Sequence, residues 1–338
     1  MADFAESFSE MYFQISPQIL ECFPKHRPPL NLYVFKEAIG DLEPYFYVGN
    51  RLDKHRQQEL AELCQSGLIF VARSDHPIYA EHISEQLDLI LMDTNLKESE
   101  IAEILSLGLV KHIGGFFEQP VKPALDILHS DLLVLTEYLS LDPYRRKALI
   151  RRLNPNDTLA GISHTTLVIG LSTYLQAHGN RPNRKHMDRL ALGLAATNLG
   201  LSKIPSYIRE KGRNLSTEEE RKLRQYPFAG AKILHKLDVR EEMTLQVVQQ
   251  HRERLDGSGF PRQLRGDQIE EPGRIGALAY AFSKISCRSS EDQQHDLRQV
   301  AALLTQKQNA FDSRLASMLQ RTVEEAFEHI PPDSATLG

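Results

Sequence analysis

The first third of the chain alternates short apolar runs with glycine and proline. Three runs are rich in aromatic and β-branched residues and predict strands: LYVFKEA from Leu32, YFYVGNRL from Tyr45 and LIFVARSD from Leu68. Two helical patterns lie among them, at residues 54–67 and 79–91. Because prolines recur within residues 1–30, this segment is expected to be irregular, without long regular structure. We therefore predict a small α+β domain over residues 1–95, in a regulatory or input role.

From Asn95 onward, apolar residues recur three and four positions apart, which is the spacing of one helix face. Asn95 and Glu98 resemble a capping box at the start of the first helix. Residues 96–150 predict a helical linker, and because a long apolar helix between domains is a common dimer surface, a homodimer is one expectation. Residues 151–332 predict an all-helical domain, followed by a short tail at 333–338. Its predicted helices are 164–177, 183–199, 217–225, 228–237, 241–252, 273–286, 292–306 and 313–328.

Composition narrows the class of protein. The 338 residues are 41% hydrophobic and 25% charged, which suits a globular protein, and the length favours two domains. A formal net charge of -5 gives no general attraction for nucleic acid or anionic lipid, so an anionic ligand needs a local basic pocket. The three cysteines are far apart in sequence and lack CxxC spacing, which argues against a disulfide framework or a zinc site. We therefore expect reduced thiols. Without a membrane-length apolar run or a signal-peptide pattern, we expect a cytoplasmic protein with no membrane insertion.

Residues 250–261 read QHRERLDGSGFP and carry the most specific chemistry in the chain. A helical pattern ends at His251, and the run from Asp256 to Gly259 cannot continue it. Turns of this kind at a charged helix end line pockets more often than they fill cores. The stretch resembles the HHExxDGxGYP signature of the HD-GYP family, whose metal-dependent phosphodiesterases open the bacterial messenger cyclic di-GMP.

Further motifs extend the resemblance over the whole second domain. His164 stands at the position of an early metal histidine. Residues 195–205 (AATNLGLSKIP) are similar to the family's LHDIGKIGIP, 215–234 (LSTEEERKLRQYPFAGAKIL) to LTPEEWEIMKTHPxxGAxIL, and 273–285 (GRIGALAYAFSKI) to ARILAVADVFDAL. The motifs occur in the same order at the same separations. The resemblance therefore implies a mainly α protein with an HD-GYP helical bundle as its C-terminal domain.

The resemblance also identifies the positions that hold two or three iron or manganese ions in the family. In this chain they carry Ala160, His164, Thr197, Asn198, Tyr226, His251, Arg252 and Tyr280. Only His164 and His251 are potential ligands. Clustered divalent cations need carboxylate charge to offset their repulsion, whereas Asn198 is neutral and Arg252 repels cations. No catalytic residue, metal or cofactor is therefore expected, and if a metal is present the resemblance implies iron or manganese.

The residues at and near these positions can also be interpreted as purely structural. His164 opens a predicted helix and is interpreted as a hydrogen-bonded core residue, with a single weakly bound metal or a ligand contact as alternatives. His251 allows the same interpretations. Glu253, Arg254 and Asp256 are expected to form an ion-pair network that holds the loop, in preference to contacting a ligand directly.

A pocket for cyclic di-GMP would need cations and flat apolar surfaces. The candidate cations are Lys203, Arg252, Arg254, Arg274 and Arg288, and the candidate aromatic side chains are Tyr226, Phe260 and Tyr280. Two departures weaken this expectation. Leu201 stands at the position of a phosphate-contacting lysine of the family, and CRSS at 287–290 replaces the family's RPYR.

The loop that contains the glycines has a second use in the family, as a surface that docks on diguanylate cyclase (GGDEF) domains. Asp256, Gly257, Gly259, Phe260 and Pro261 keep its form, and the phenyl ring retains the ability to anchor a partner. The same residues are equally consistent with a turn that the fold requires.

These observations predict a non-catalytic HD-GYP-like protein in cyclic di-GMP signalling, which acts by protein docking or by ligand binding. The alternative is a metal-dependent cyclic di-GMP phosphodiesterase with an altered site formed by His164, His251 and Asn198. A third interpretation is a ligand receptor whose N-terminal domain is the effector.

Overall fold

The structure is a computed structural model that describes residues 10–92, 95–179, 182–211, 214–287, 296–307 and 309–328. It divides into two compact units, residues 1–108 and 109–338. The division falls within the first long helix, so the predicted linker contributes residues to both units. The mainly α architecture, with strands only near the start of the described chain, is confirmed.

The first unit is built on a four-stranded antiparallel sheet in the order β1-β4-β2-β3. Its strands are β1 Tyr12–Gln14, β2 Leu32–Lys36, β3 Asp41–Phe46 and β4 Ile69–Ala72, and its helices are α1 Pro17–Cys22, α2 Lys54–Gln65 and α3 His76–Ile83. In the β2–β3 hairpin, Leu32 pairs with Phe46 and Lys36 with Asp41. Alternate residues of β2 and β4 are buried, so one face of the sheet carries the core of this unit.

The prediction that residues 1–30 lack regular structure is wrong for the part from residue 10 onward. Strand β1 pairs with β4, and helix α1 follows it. The Ser16 hydroxyl accepts the Ile19 N–H at 3.4 Å, and Pro17 occupies the first turn of the helix, where no N–H donor is needed. Proline therefore starts this helix instead of preventing it.

Helix α4 spans Glu98–Glu118, and α5 spans Lys122–Leu141. The helix begins at Glu98, so the start predicted from a capping box at Asn95 is a few residues too early. Instead, the Glu100 carboxylate accepts the backbone N–H of Lys97 at 2.7 Å and pairs with Arg73. One of the free donors at the helix start is satisfied in this way.

The described part of the second unit beyond α5 forms only helices, as predicted. They are α6 Pro143–Arg151, α7 Leu159–His178, α8 Arg184–Ala195, α9 Ser206–Glu210, α10 Thr217–Arg224, α11 Tyr226–Lys236, α12 Glu242–Gln250, α13 Glu271–Ser286, α14 Leu297–Thr305 and α15 Ser313–Phe327. The prediction that His164 opens a helix is wrong. The Thr158 hydroxyl accepts the Gly161 N–H at 3.0 Å and starts α7 earlier, so His164 lies within the helix. Over the described ranges, no helix is long and apolar enough to cross a bilayer.

Helix α7 forms the centre of this unit, and every residue from Gly161 to Leu175 is buried. Small residues allow its neighbours to approach closely: a Cβ on Gly170 would lie 2.6 Å from the Leu194 side chain of α8. Between α7 and α13, the Thr166 hydroxyl donates to the Ser283 hydroxyl at 3.0 Å. Helix α7 therefore packs against α8 and α13. Residues of the candidate site lie on α7, on α13 and in the turn after α8.

Candidate functional site

A buried polar cluster lies where α7, α11, α12 and α13 meet the turn after α8. It consists of Ser163, Thr197, Asn198, Tyr226, His251 and Tyr280, each at most 2% exposed. The Asn198 amide donates to the Ser163 hydroxyl and to the Leu159 carbonyl, both at 3.2 Å, and its oxygen accepts the Tyr280 hydroxyl at 3.1 Å. Several of the positions that the resemblance assigns to metal ligands are therefore adjacent and hydrogen bonded to protein groups.

Two hydrogen bonds fix the ring of His251. Its Nδ1 lies 2.8 Å from the Val248 carbonyl oxygen and must carry the proton, because a carbonyl only accepts. The Tyr226 hydroxyl lies 2.6 Å from the unprotonated Nε2 and donates its proton to that nitrogen. Burial lowers the His251 pKa to about 3, and the neighbouring Arg252 charge adds to the shift. The imidazole lone pair that would bind a metal is thus occupied by a phenol.

His164 is 4% exposed, and its Nε2 has no hydrogen-bond partner. The interpretation of a fully hydrogen-bonded core histidine is therefore wrong at this atom. Burial lowers the His164 pKa to about 4, so the ring is neutral at physiological pH. An uncharged, unpaired nitrogen in a closed interior is a single donor atom and not a ligand set.

The side-chain groups of the polar cluster do not fit an iron or manganese centre. Within the described ranges, no three His, Cys, Asp or Glu side chains converge as a metal site requires. The cluster offers hydroxyl, amide and phenol groups, and burial raises the Tyr226 pKa well above its usual value, so its oxygen stays protonated. Arg252 adds a permanent positive charge beside them. A cationic cluster would lack the anionic ligands that offset its charge.

The two buried histidines predict a loss of stability at mildly acidic pH. Their folded-state pKa values, about 4 for His164 and about 3 for His251, lie below the ordinary 6.5, so the unfolded chain binds more protons. This stability is complete above the unfolded pKa and is lost as pH falls below it. A change from pH 7 to pH 5.5 should lower the unfolding free energy by about 1 kcal/mol for each ring.

Urea denaturation at the two pH values measures this loss. His164→Gln should remove about half of the histidine-dependent part, whereas the exposed control His55→Gln should leave it unchanged. The assignment is contradicted if both variants retain the full pH dependence.

Glu253 holds the loop that follows α12. Its side chain is fully buried, and its two carboxylate oxygens accept the backbone N–H of Arg262 at 2.7 Å and of Leu264 at 3.1 Å. Arg254 donates to the Glu253 carbonyl at 2.6 Å. The contacts that fix the loop are therefore side-chain-to-backbone bonds and not the ion-pair network that was expected with Asp256.

The guanidinium of Arg252 lies between two rings. Its central carbon is 4.6 Å from the centre of Phe260 and 5.2 Å from the centre of Tyr280, and its Nε has no hydrogen-bond partner. Phe260 is half-buried and also contacts Arg224 and the Tyr226 ring. The aromatic residue that could anchor a docking partner is thus engaged within the protein.

The remaining residues predicted to dock on a partner lie in the turn after α12, and its geometry requires the two glycines. Asp256 is exposed, Gly257 and Pro261 are half-buried, and Gly259 is buried. Gly257 has a φ of 80°, which favours glycine, and a Cβ on Gly259 would lie 2.4 Å from backbone atoms of Glu253 and Arg254. Both glycines are accounted for by local geometry, which favours the interpretation of a turn that the fold requires.

Two predicted cations, Lys203 and Arg274, lie elsewhere. Lys203 is exposed and lines a separate groove beside Tyr226. Arg274 pairs with Asp267 at 2.9 Å and with Asp312 at 3.2 Å, so its donors serve the fold. Arg288 lies outside the described residues. The structure does not bring Lys203 or Arg274 together with Arg252 and Arg254.

A cavity of about 280 Å³ opens beside the polar cluster, and we call it the basic cavity. It is lined by Arg252, Arg254, Lys284 and Lys307 together with the rings of Tyr280 and Phe311. Sequence reasoning missed both lysines. Lys284 follows Tyr280 by four residues on α13 and so lies on the same helix face, a signal that could have identified it. Lys307 had no such signal, because tertiary folding brings it there from the segment after α14.

The helical fold and the polar cluster define the class of protein. A family profile described as the HD domain matches residues 147–315, which is half of the chain. The chain belongs to the HD domain family. The solved structure of Bd1817, an HDG"Y"P protein from Bdellovibrio bacteriovorus, is similar over 93% of this chain and 99% of that one, with a TM-score of 0.62 and 16% identity. The fold expected from the HD-GYP resemblance is confirmed.

Curated relatives share parts of the sequence. The chain is 28% identical over 176 residues to the 3'3'-cGAMP-specific phosphodiesterase 2 of Vibrio cholerae serotype O1, covering 45% of this chain and 34% of that protein. It is 33% identical over 87 residues to the cyclic di-GMP phosphodiesterase PdeB of Borreliella burgdorferi, covering 26% of this chain and 23% of that protein. The chain thus matches only about a third or less of the length of these relatives.

Proposed function

We propose that the C-terminal unit is a non-hydrolysing HD domain that acts by binding in cyclic-dinucleotide signalling. The observation that carries the proposal is the buried polar cluster, in which Asn198 is hydrogen bonded to Tyr280 and His251 to Tyr226. The names of the sequence relatives, phosphodiesterases of cyclic di-GMP and of 3'3'-cGAMP, support cyclic dinucleotides as the ligand class.

Hydrolysis of a phosphodiester requires an activated water. A metal cluster could supply it, but the donor set described above does not fit one. A general base could also supply it, yet His251 already accepts the Tyr226 proton and has a pKa of about 3. A base with so low a pKa has little tendency to take a proton from water near neutral pH. Binding without turnover is the function that these groups support.

Ligand binding is better supported than docking on a GGDEF domain. Phe260 contacts Arg252 and Tyr226, and turning it outward would break these contacts. The basic cavity, by contrast, supplies four cations to a ligand without rearrangement of the loop. The N-terminal sheet unit then has the role of effector or input domain.

A turnover assay with metal analysis tests the proposal. The purified chain, supplied with Mn²⁺ or Fe²⁺ under reducing conditions, should yield no linear dinucleotide from cyclic di-GMP or 3'3'-cGAMP above a no-protein background. The positive controls are the Vibrio cholerae phosphodiesterase for 3'3'-cGAMP and the Borreliella burgdorferi PdeB for cyclic di-GMP. Stoichiometric tightly bound iron or manganese together with accumulating linear product would overturn the proposal and favour an altered metal site. The variants Asn198→Ala and His251→Ala would then show whether product formation depends on these residues, and so whether the altered metal site includes them.

A further inference from the structure

Four cationic side chains surround the basic cavity. Arg252 and Arg254 come from the loop after α12, Lys284 comes from α13 and Lys307 from the segment after α14. Among the described residues, none of the four forms an ion pair, and the cavity lining contains no acidic side chain. This is unusual in a chain with a formal net charge of -5.

Two other arginines of the same unit illustrate the usual neutralised arrangement. Arg274 has two carboxylate partners, and Arg184 pairs with Glu137 and Asp188. Around the cavity, burial and the neighbouring Arg252 charge lower the pKa of Arg254 to about 10. Like charges held together at a partly buried surface repel each other, and an anion between them relieves that repulsion.

The two guanidinium groups are also held in place before any ligand arrives. Arg252 lies between Phe260 and Tyr280, and Arg254 lies 4.7 Å from the centre of the Phe311 ring. Arginine presents several N–H donors in a fixed plane that matches phosphate geometry, and fixing it in advance reduces the entropy lost on binding. Lys284 and Lys307 alone would be ordinary surface lysines. Together with fixed arginines, they form an arrangement suited to a phosphate.

We propose that the basic cavity binds a phosphate group of a nucleotide, with Arg252, Arg254, Lys284 and Lys307 as its contacts. This proposal rests on the proposed binding function and assigns its site. A volume of about 280 Å³ is at the lower end for ligand pockets, so the cavity takes one phosphate with its adjoining sugar, and the remainder of a dinucleotide lies outside. Two of the vacated ligand positions, Arg252 and Tyr280, thus form part of the wall of the site.

Isothermal titration calorimetry on the full chain tests this assignment. The titrants are cyclic di-GMP, its linear product, GMP and sodium phosphate, each at fixed ionic strength. The double variant Lys284→Gln/Lys307→Gln removes two charges without disturbing the packed arginines. Because hydrogen bonds to charged groups are among the stronger ones, nucleotide affinity should fall by at least about tenfold. Affinity should also fall with added salt.

The matched control is Lys232→Gln/Lys236→Gln, which changes two exposed lysines of α11 outside the cavity. It should keep affinity within about twofold of the native value. Thermal melts of both double variants should coincide with the native protein, which separates lost binding from lost folding.

If the cavity variant and the control bind nucleotide equally well, the assignment of the phosphate site is refuted. The proposal of a non-hydrolysing binding domain would still stand. The absence of any nucleotide binding would overturn the site assignment as well. Inorganic phosphate that binds as tightly as the nucleotides would refute the assignment to a nucleotide. Turnover of cyclic di-GMP would refute the proposed function, and the affinities of the two double variants would still decide the role of the cavity.

Discussion

Replacing Glu253 with alanine should lower the free energy of unfolding of the helical unit by about 3 kcal/mol or more. The two backbone N–H groups that the carboxylate accepts, those of Arg262 and Leu264, would be left without a partner. A buried donor without a partner costs about 1–3 kcal/mol, and here two are created together with a cavity. Urea denaturation followed by far-UV circular dichroism measures the loss.

The matched control is Glu270→Ala, which removes an exposed carboxylate from the same segment of the chain. Its effect should stay within about 0.5 kcal/mol. Nucleotide affinity should fall with Glu253→Ala, since the loop carries Arg252 and Arg254. An unfolding free energy for Glu253→Ala close to that of Glu270→Ala would show that other contacts hold the loop.

Gly259→Ala should destabilise the same unit by about 3 kcal/mol, at the upper end of the range for overpacking. The new Cβ would lie 2.4 Å from the Arg254 nitrogen and the Glu253 Cα, and 2.6 Å from the Arg252 carbonyl oxygen. These are backbone atoms, so no side-chain rotation can make room and the turn itself must shift. Differential scanning calorimetry should show a lower transition temperature.

Gly115→Ala is the contrasting substitution. Apart from the neighbouring residues and backbone of its own helix, no atom lies within 4 Å of the position of its new Cβ, and the residue is within helix α4. Alanine is favoured over glycine in a helix, so this variant should gain about 0.5–1 kcal/mol. Similar transition temperatures for the two alanine variants would contradict the close packing inferred for the loop.

Most of the fold follows from local pattern. The helices of the second unit were predicted because their apolar residues recur at helical spacing. A pair of strands was predicted in the first unit from aromatic and β-branched runs, but the second strand, expected from Tyr45, lies at Asp41–Phe46. Helix α1 was missed because Pro17 was interpreted as a breaker. Its effect depends on position, and in the first turn it favours the helix. The start of α7 was misplaced because the Thr158 cap was overlooked.

The candidate site was located from sequence but not understood from it. Motif order placed Asn198, His251 and Tyr280 near one another. The bond between Tyr280 and Asn198, however, joins residues that are 82 positions apart, and no local pattern predicts which groups pair. The role of Glu253 was missed for the same reason, because its partners are backbone N–H groups supplied by a turn that folds back on it.

The hydrogen-bonded cluster has an evolutionary consequence. An Asn198→Asp exchange would remove the donor that serves Ser163 and Leu159 and bury a charge in their place. A Tyr280→Asp exchange would empty a ring-sized volume beside Arg252. Each single step toward metal chemistry is therefore penalised by its neighbours, so a lineage would have to acquire several changes together. The interior thus disfavours the return of carboxylates to these positions one at a time.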